Sequence, residues 1–272
     1  MKRRWIGALA VAAASVAAVA LSGAVAQAAT ARDYVVLGDS YAAGLGAGNY
    51  RDTTCFQSDG KSYPSLWVAK KGRAAFGESI VNRSCSGATV STVRTKQLGD
   101  LDKETGWVTI TVGGNDIGFT STLTGCVAGT DATCHQAVQR GIGIATTTLP
   151  QTLGQLFSTI RAKAPNARVY VVGYPRLVVA ADKAPVGACS LNSYKRSLLN
   201  HSADVLADVI RQRTAAHSGF TYVDGRSIFA GHEACTREPW IHDVKLNALT
   251  EAFHPNSTGY EQYAQRLKQI TG

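Results

Sequence analysis

The sequence predicts an α/β fold, a five-stranded parallel sheet with helices on both faces. Three observations predict it. Short apolar runs, often β-branched, recur along the chain. Segments with helical spacing separate them. No internal repeat, low-complexity linker or composition shift divides the chain. Strand and helix alternating five times place helices over both faces of one parallel sheet.

The strand-like runs are Tyr34–Leu37, Glu78–Val81, Trp107–Val112, Arg168–Val172 and Phe220–Val223. In the third, Val108, Ile110 and Val112 alternate with threonines. In the fourth, Val169-Tyr170-Val171-Val172 is continuous, as expected of a strand covered on both faces. The helical segments are Tyr63–Lys71, Cys134–Ala164, Ser193–His217 and Ser257–Ile270. Leu198, Val205, Leu206, Val209 and Ile210 carry the helical period of the third. Lys163-Ala164-Pro165-Asn166-Ala167 reads as a helix stop and a turn.

Residues 1–28 are expected to be a secretory signal peptide. Lys2, Arg3 and Arg4 form a basic head, an Ala/Val/Leu run follows, and Ala26-Gln27-Ala28 is a small-x-small cleavage pattern. The rest, 29–272, is expected to be one domain, secreted and extracellular. It keeps 25 basic residues against 19 acidic, a net charge of +6. Basic residues neither run together beyond Lys70-Lys71 nor alternate with aromatics, which argues against a nucleic-acid stripe. No later stretch is apolar enough to span a bilayer, so no stable membrane insertion is expected. A monomer is expected.

The six cysteines are 55, 85, 126, 134, 189 and 235. An even count in a secreted chain reads as disulfides, and six cysteines allow fifteen pairings. Local spacing favours Cys126–Cys134. Sequence order suggests Cys55–Cys85 and Cys189–Cys235. There is no C-x-x-C and no close Cys/His set, so no metal and no cofactor are expected.

In a parallel sheet the site lies outside the carboxyl ends of the strands. Ser40 follows the first run, Ser84–Gly87 the second and Asn115-Asp116 the third. The stretch Gly38-Asp39-Ser40, followed by Gly44, Gly46 and Gly48, has two readings. A dinucleotide or Walker loop needs G-x-G-x-x-G or Gly-Lys-Ser/Thr, and neither is present. The other reading is a sharp turn exposing a reactive serine. A serine hydroxyl needs a base to remove its proton, usually an oriented histidine. His135, His201 and His217 fall on helical stretches and read as solvated, while His232 and His242 lie in an undecided loop. His254 stands before Pro255, which favours extended backbone, and before a helix that Asn256 or Ser257 can cap. A histidine there can also be a plain capping or surface residue. Gly87 and Asn115 can donate to an oxyanion, although each also suits an ordinary turn.

Gly38-Asp39-Ser40, Gly87, Gly113-x-Asn115-Asp116 and His254, in that order, resemble the SGNH hydrolases, also called GDSL lipases and esterases. The secreted, six-cysteine form resembles lipases and phospholipases of filamentous actinobacteria. The resemblance implies a flavodoxin-like three-layer α/β/α sandwich. It implies Ser40 as nucleophile, His254 as base, and an oxyanion hole of Ser40 N–H, Gly87 N–H and the Asn115 amide. Two positions depart from the pattern. The usual leucine after the serine is Tyr41. The usual aspartate three residues before the histidine is Glu251. A main-chain carbonyl near Ala252 is therefore expected to orient His254, with Glu251 secondary. Asp224 is a further acid, more readily a turn residue.

The implied reaction is hydrolysis of carboxylic esters, with a lipid or small ester as substrate. One alternative is an acetyl esterase on polysaccharide, which would show aromatic stacking platforms. Trp107 reads as core, and Trp67 and Trp240 fit either use. Leu45, Ile117, Phe119 and Leu123 are expected to line an apolar trough for a lipid. The other alternative is a binding protein on an esterase scaffold, which would have lost a motif residue.

Overall fold

A computed structural model describes Met1 and residues 32–187, 189–244 and 248–272. The expected signal peptide, apart from Met1, lies outside the described residues. Five parallel strands, β1 (Arg32–Gly38), β2 (Phe76–Asn82), β3 (Thr105–Thr111), β4 (Arg168–Val172) and β5 (Phe220–Val223), stand in the order β2-β1-β3-β4-β5. The helices, in chain order, are α1 (Ser40–Ala43), α2 (Tyr63–Lys71), α3 (Val90–Thr92), α4 (Phe119–Ala128), α5 (Asp131–Thr147), α6 (Leu149–Lys163), α7 (Ser193–Ala215), α8 (Gly225–Ile228) and α9 (Ser257–Thr271).

Strand side chains alternate between faces, and the two faces have different cores. Tyr34, Trp107 and Tyr170 gather around Trp67 of α2, with ring centroids 5.1, 5.6 and 5.9 Å from it. Trp67 is fully buried, which settles it as core. Helix α9 packs beside α2. The opposite strand positions, Val35, Leu37, Val108 and Ile110, are buried aliphatics. On the second face Phe157 of α6 meets Phe220 of β5 at 5.2 Å, and α5, α6 and α7 pack on one another.

Two helices differ from expectation. The segment expected as one helix over Cys134–Ala164 is two, α5 and α6, parted at Thr148. Pro150 has no N–H and clashes with a preceding helical turn, so it begins a helix rather than continuing one. Helix α4 was not expected. Its sequence, FTSTLTGCVA, is rich in threonine and poor in strong helix formers. It packs on α5, to which the Cys126–Cys134 disulfide ties it. The other disulfides join Cys55 to Cys85 and Cys189 to Cys235. Among the described residues no helix is long and apolar enough to cross a membrane.

Candidate active site

The chain leaves β1 through Gly38, at φ +124°, where a Cβ would sit 2.2 Å from the Thr111 carbonyl oxygen. Only glycine permits that approach. Asp39 then caps α1, accepting the Tyr41 N–H at 3.0 Å, and Ser40 opens the helix. Gly44 closes α1 in the left-handed region. The glycines thus shape a one-turn elbow whose serine faces a cleft of about 530 Å³.

Gly87 and Asn115 line the same cleft. Gly87 has φ +79°, and a Cβ there would meet nothing within 4 Å. Among the described residues neither the Ser40 nor the Gly87 N–H has a protein acceptor. Asn115 Nδ2 donates to the Ala88 carbonyl at 3.0 Å, which leaves its second N–H. Asp116 accepts from the Val90 N–H at 3.0 Å. These two bonds lock the loops after β2 and β3 together. The Cys55–Cys85 disulfide anchors the first of them, where the Ser86 N–H also donates to the Cys55 carbonyl at 3.0 Å.

His254 Nε2 lies 2.8 Å from Ser40 Oγ, and its Nδ1 lies 3.1 Å from the Ala252 carbonyl. A carbonyl only accepts, so Nδ1 carries the proton and Nε2 is free to accept from the serine. Both residues are 8% exposed. Burial holds the imidazole down at about 4, so it is neutral over most of the pH range. The Glu251 carboxylate turns elsewhere and accepts from the Tyr50 hydroxyl. Asp224 caps α8 and pairs with Arg226 at 2.9 Å, as a turn residue would.

Several contributors had no visible motif. The Gln97 amide brackets Gly38, accepting its N–H at 2.7 Å and donating to its carbonyl at 2.9 Å. Tyr174 donates to the buried Asp39 carboxylate and accepts the Gly114 N–H at 3.0 Å. It therefore couples the serine elbow to the Asn115 loop. Burial raises Asp39 to about 7 against those hydrogen bonds. Tyr174 follows the carboxyl end of β4, so the rule that located the other residues pointed there too. Tyr41, the departure from leucine, donates through its hydroxyl to the Phe253 carbonyl at 2.6 Å. His242 Nε2 lies 2.8 Å from the Gly46 carbonyl. Of the other histidines, His135 and His201 are exposed. His217 was expected in solvent but packs on Phe157 and Phe220. His232 stacks on Trp240 at 3.6 Å.

The profile of the GDSL-like lipase/acylhydrolase family matches residues 36–262. Lipase 1 of Streptomyces coelicolor is 41% identical over 249 residues, 89% of each chain. The crystal structure of phospholipase A1 from Streptomyces albidoflavus superposes with a TM-score of 0.80 at 38% identity, covering 88% of this chain and 99% of that one. The extracellular lipase of Streptomyces rimosus gives 0.79 at 38% identity, covering 89% and 100%.

Proposed function

The chain belongs to the GDSL-like lipase/acylhydrolase family and is a carboxylic ester hydrolase, and from that premise we propose that it cleaves the acyl esters of lipids through an acyl-enzyme on Ser40. The observation that carries this reading is the 2.8 Å contact between Ser40 Oγ and His254 Nε2 in the lining of an apolar cleft.

The geometry supports the following steps. Nε2 takes the Ser40 proton as Oγ attacks the ester carbonyl carbon. The carbonyl oxygen becomes an oxyanion, which Ser40 N–H, Gly87 N–H and the remaining Asn115 N–H are placed to receive. The imidazolium is held by the Ala252 carbonyl. It passes its proton to the departing alcohol as the C–O bond breaks, leaving an acyl ester on Ser40. Water then attacks that ester with Nε2 again as base. The carboxylic acid leaves, and Ser40 recovers its proton.

A lipid fits the cleft lining better than a sugar. Leu45, Phe56, Phe119, Leu123, Val127 and Leu249 face the cleft. Trp67 lies in the core, and Trp240 stacks on His232 rather than lining the cleft, so neither is a sugar platform there. Ile117 does not join the cleft and lies behind it. A binding protein would not need a serine within hydrogen-bond reach of a desolvated histidine. The three disulfides and the basic, alanine-rich leader support a signal peptide over 1–28 and a single catalytic domain over 29–272 that works outside the cell. The whole dyad comes from one chain, which supports action as a monomer.

The test is turnover of neutral lipids, phospholipids and acetylated sugars by one preparation, beside labelling with a fluorophosphonate. Hydrolysis of the lipids with labelling at Ser40 is expected. Turnover of the acetylated sugars alone would replace the lipid reading with the polysaccharide one.

A further inference from the structure

Behind the cleft lies a second, smaller cavity of about 30 Å³. Tyr174, Leu177, Leu199 and Leu206 are among the residues around it. Phe119 and Leu123 line it as well, and the same two side chains line the Ser40 cleft. They stand four residues apart on α4, hence on one face of the helix. The Phe119 ring and the Leu123 isobutyl group are thus the side chains that the two spaces share.

Phe119 stands beside the reacting atoms. The Phe119 ring centroid is 6.3 Å from the His254 imidazole, nearly edge-on at 75°. The Tyr174 ring, on the cavity side, meets Tyr41 at 5.1 Å, and Tyr41 meets His254 at 5.2 Å. A chain attached to Ser40 reaches the Phe119 ring within a few bonds.

The chemistry of the cavity selects what it accepts. The Tyr174 hydroxyl is already committed to Asp39 and to the Gly114 N–H. The remaining lining is mostly alkyl, so a polar ligand finds little to bond. Water in such a space needs two to four polar partners. One water needs about 10–15 Å³ of such space, so the cavity holds roughly two carbon positions. Movement of the ring adds its own volume. Phe119 is placed to move. It is the first residue of α4, it is only half-buried, and it follows Gly118, at φ +73°. Among the described residues no side chain caps that helix end.

We propose that this cavity is the distal acyl subsite: the end of a straight alkyl chain passes between Phe119 and Leu123 into it, and these two side chains set the preference for acyl length. The inference rests on Ser40 carrying the acyl group. Both side chains line both spaces, so entry of the chain displaces the Phe119 ring toward the open cleft. Long chains gain contact area in the cavity, and short chains never reach it.

The experiment is kcat/KM over a series of p-nitrophenyl esters from acetyl to dodecanoyl, read as the dodecanoyl-to-acetyl ratio. Phe119→Ala removes the ring from between the two spaces and should raise that ratio, by roughly tenfold. Ala203→Leu, on α7, adds side-chain volume to the cavity that Ala203 lines. It should lower the ratio and cancel the gain when combined with Phe119→Ala. If its melting curve shows that Ala203→Leu is unfolded, Ser202→Leu fills the same space. A ratio that stays at the wild-type value in Phe119→Ala and in the folded cavity-filling variant overturns the subsite. Failure of the parent reading looks different: the wild type would hydrolyse no ester in the series and take no fluorophosphonate.

Discussion

Ser40, Gly87 and Asn115 stand on turns that leave three neighbouring strands, whereas His254 stands on a loop well past β5 with no strand directly behind it. The first three are placed by the sheet. β1 pairs with β2 on one side and β3 on the other, so the register of three strands sets their spacing. His254 is placed by cross-links. The His242 N–H donates to the His254 carbonyl at 2.9 Å, and the Phe253 N–H donates back to the His242 carbonyl at 2.8 Å. Phe253 itself has φ +59°, a costly conformation for a bulky residue. Its carbonyl is held by Tyr41, its side chain is buried, and both ends of the loop are pinned to the glycine-rich segment after Ser40. A sheet makes one half of the site rigid. Long-range hydrogen bonds must do the same for the other half.

The largest effect belongs to the atoms that both halves bring together. Ser40→Ala and His254→Ala should each lower kcat by about 10⁴ or more and leave the melting temperature nearly unchanged. Ser40→Ala should also lose fluorophosphonate labelling. Undiminished turnover by Ser40→Ala would show that the site lies elsewhere. Next comes the sheet-borne half, proposed above to receive the oxyanion. Asn115→Ala should cost about 10²–10³ in kcat. If Asn115 serves only to hold the Ala88 turn, stability will fall instead and kcat will hold.

Falling pH should reach the Asp39 carboxylate of the serine elbow first, at about 7, and the His254 imidazole only near 4. The imidazole is neutral above about 4, and only the neutral form can take the serine proton. Loss of the base should therefore lower activity roughly tenfold per unit below about 4, and any smaller step near 7 would report protonation of Asp39 under the serine elbow. A full tenfold-per-unit fall setting in near the ordinary histidine value of about 6.5 would mean that the dyad is more solvated than its burial implies.

The same contrast explains what could be read from the sequence. Strand–glycine–polar motifs are local, so the turns that carry Ser40, Gly87 and Asn115 were legible, and the five strands with them, though not their order in the sheet. The Ala252 carbonyl was legible because Pro255 restrains that backbone and Glu251 lacks the geometry of aspartate. The cross-links were not legible. Tyr41 and Phe253 are 212 residues apart, and Tyr50 and Glu251 are 201 apart. A hydroxyl in a tyrosine codon says nothing of which carbonyl it will meet. Helix α4 escaped for a related reason. Its threonines oppose helix formation locally, and its support comes from α5 and a disulfide.

The smallest effect, and the one that tests the cross-link account most closely, concerns Glu251. Its main chain meets the histidine: the His254 N–H donates to the Glu251 carbonyl at 3.0 Å. Its carboxylate meets Tyr50, whose hydroxyl also accepts the Gly46 N–H at 2.8 Å. Glu251 thus ties the histidine loop to the glycine segment, while the Ala252 carbonyl holds Nδ1–H. Glu251→Gln keeps an oxygen for Tyr50 and should change kcat by about threefold at most, the size of one weakened hydrogen bond. Glu251→Ala removes the tie and should lose about tenfold, and Tyr50→Phe should lose at least as much because it breaks the same bond from the other end and also strips the Gly46 N–H of its acceptor. Loss of a carboxylate that truly held the imidazole would cost about 10⁴ by letting the wrong tautomer form. Kinetics of the three variants beside His254→Ala separate the cases. Two Glu251 variants as inactive as His254→Ala, with Tyr50→Phe still active, would move the orienting role from the carbonyl to the carboxylate.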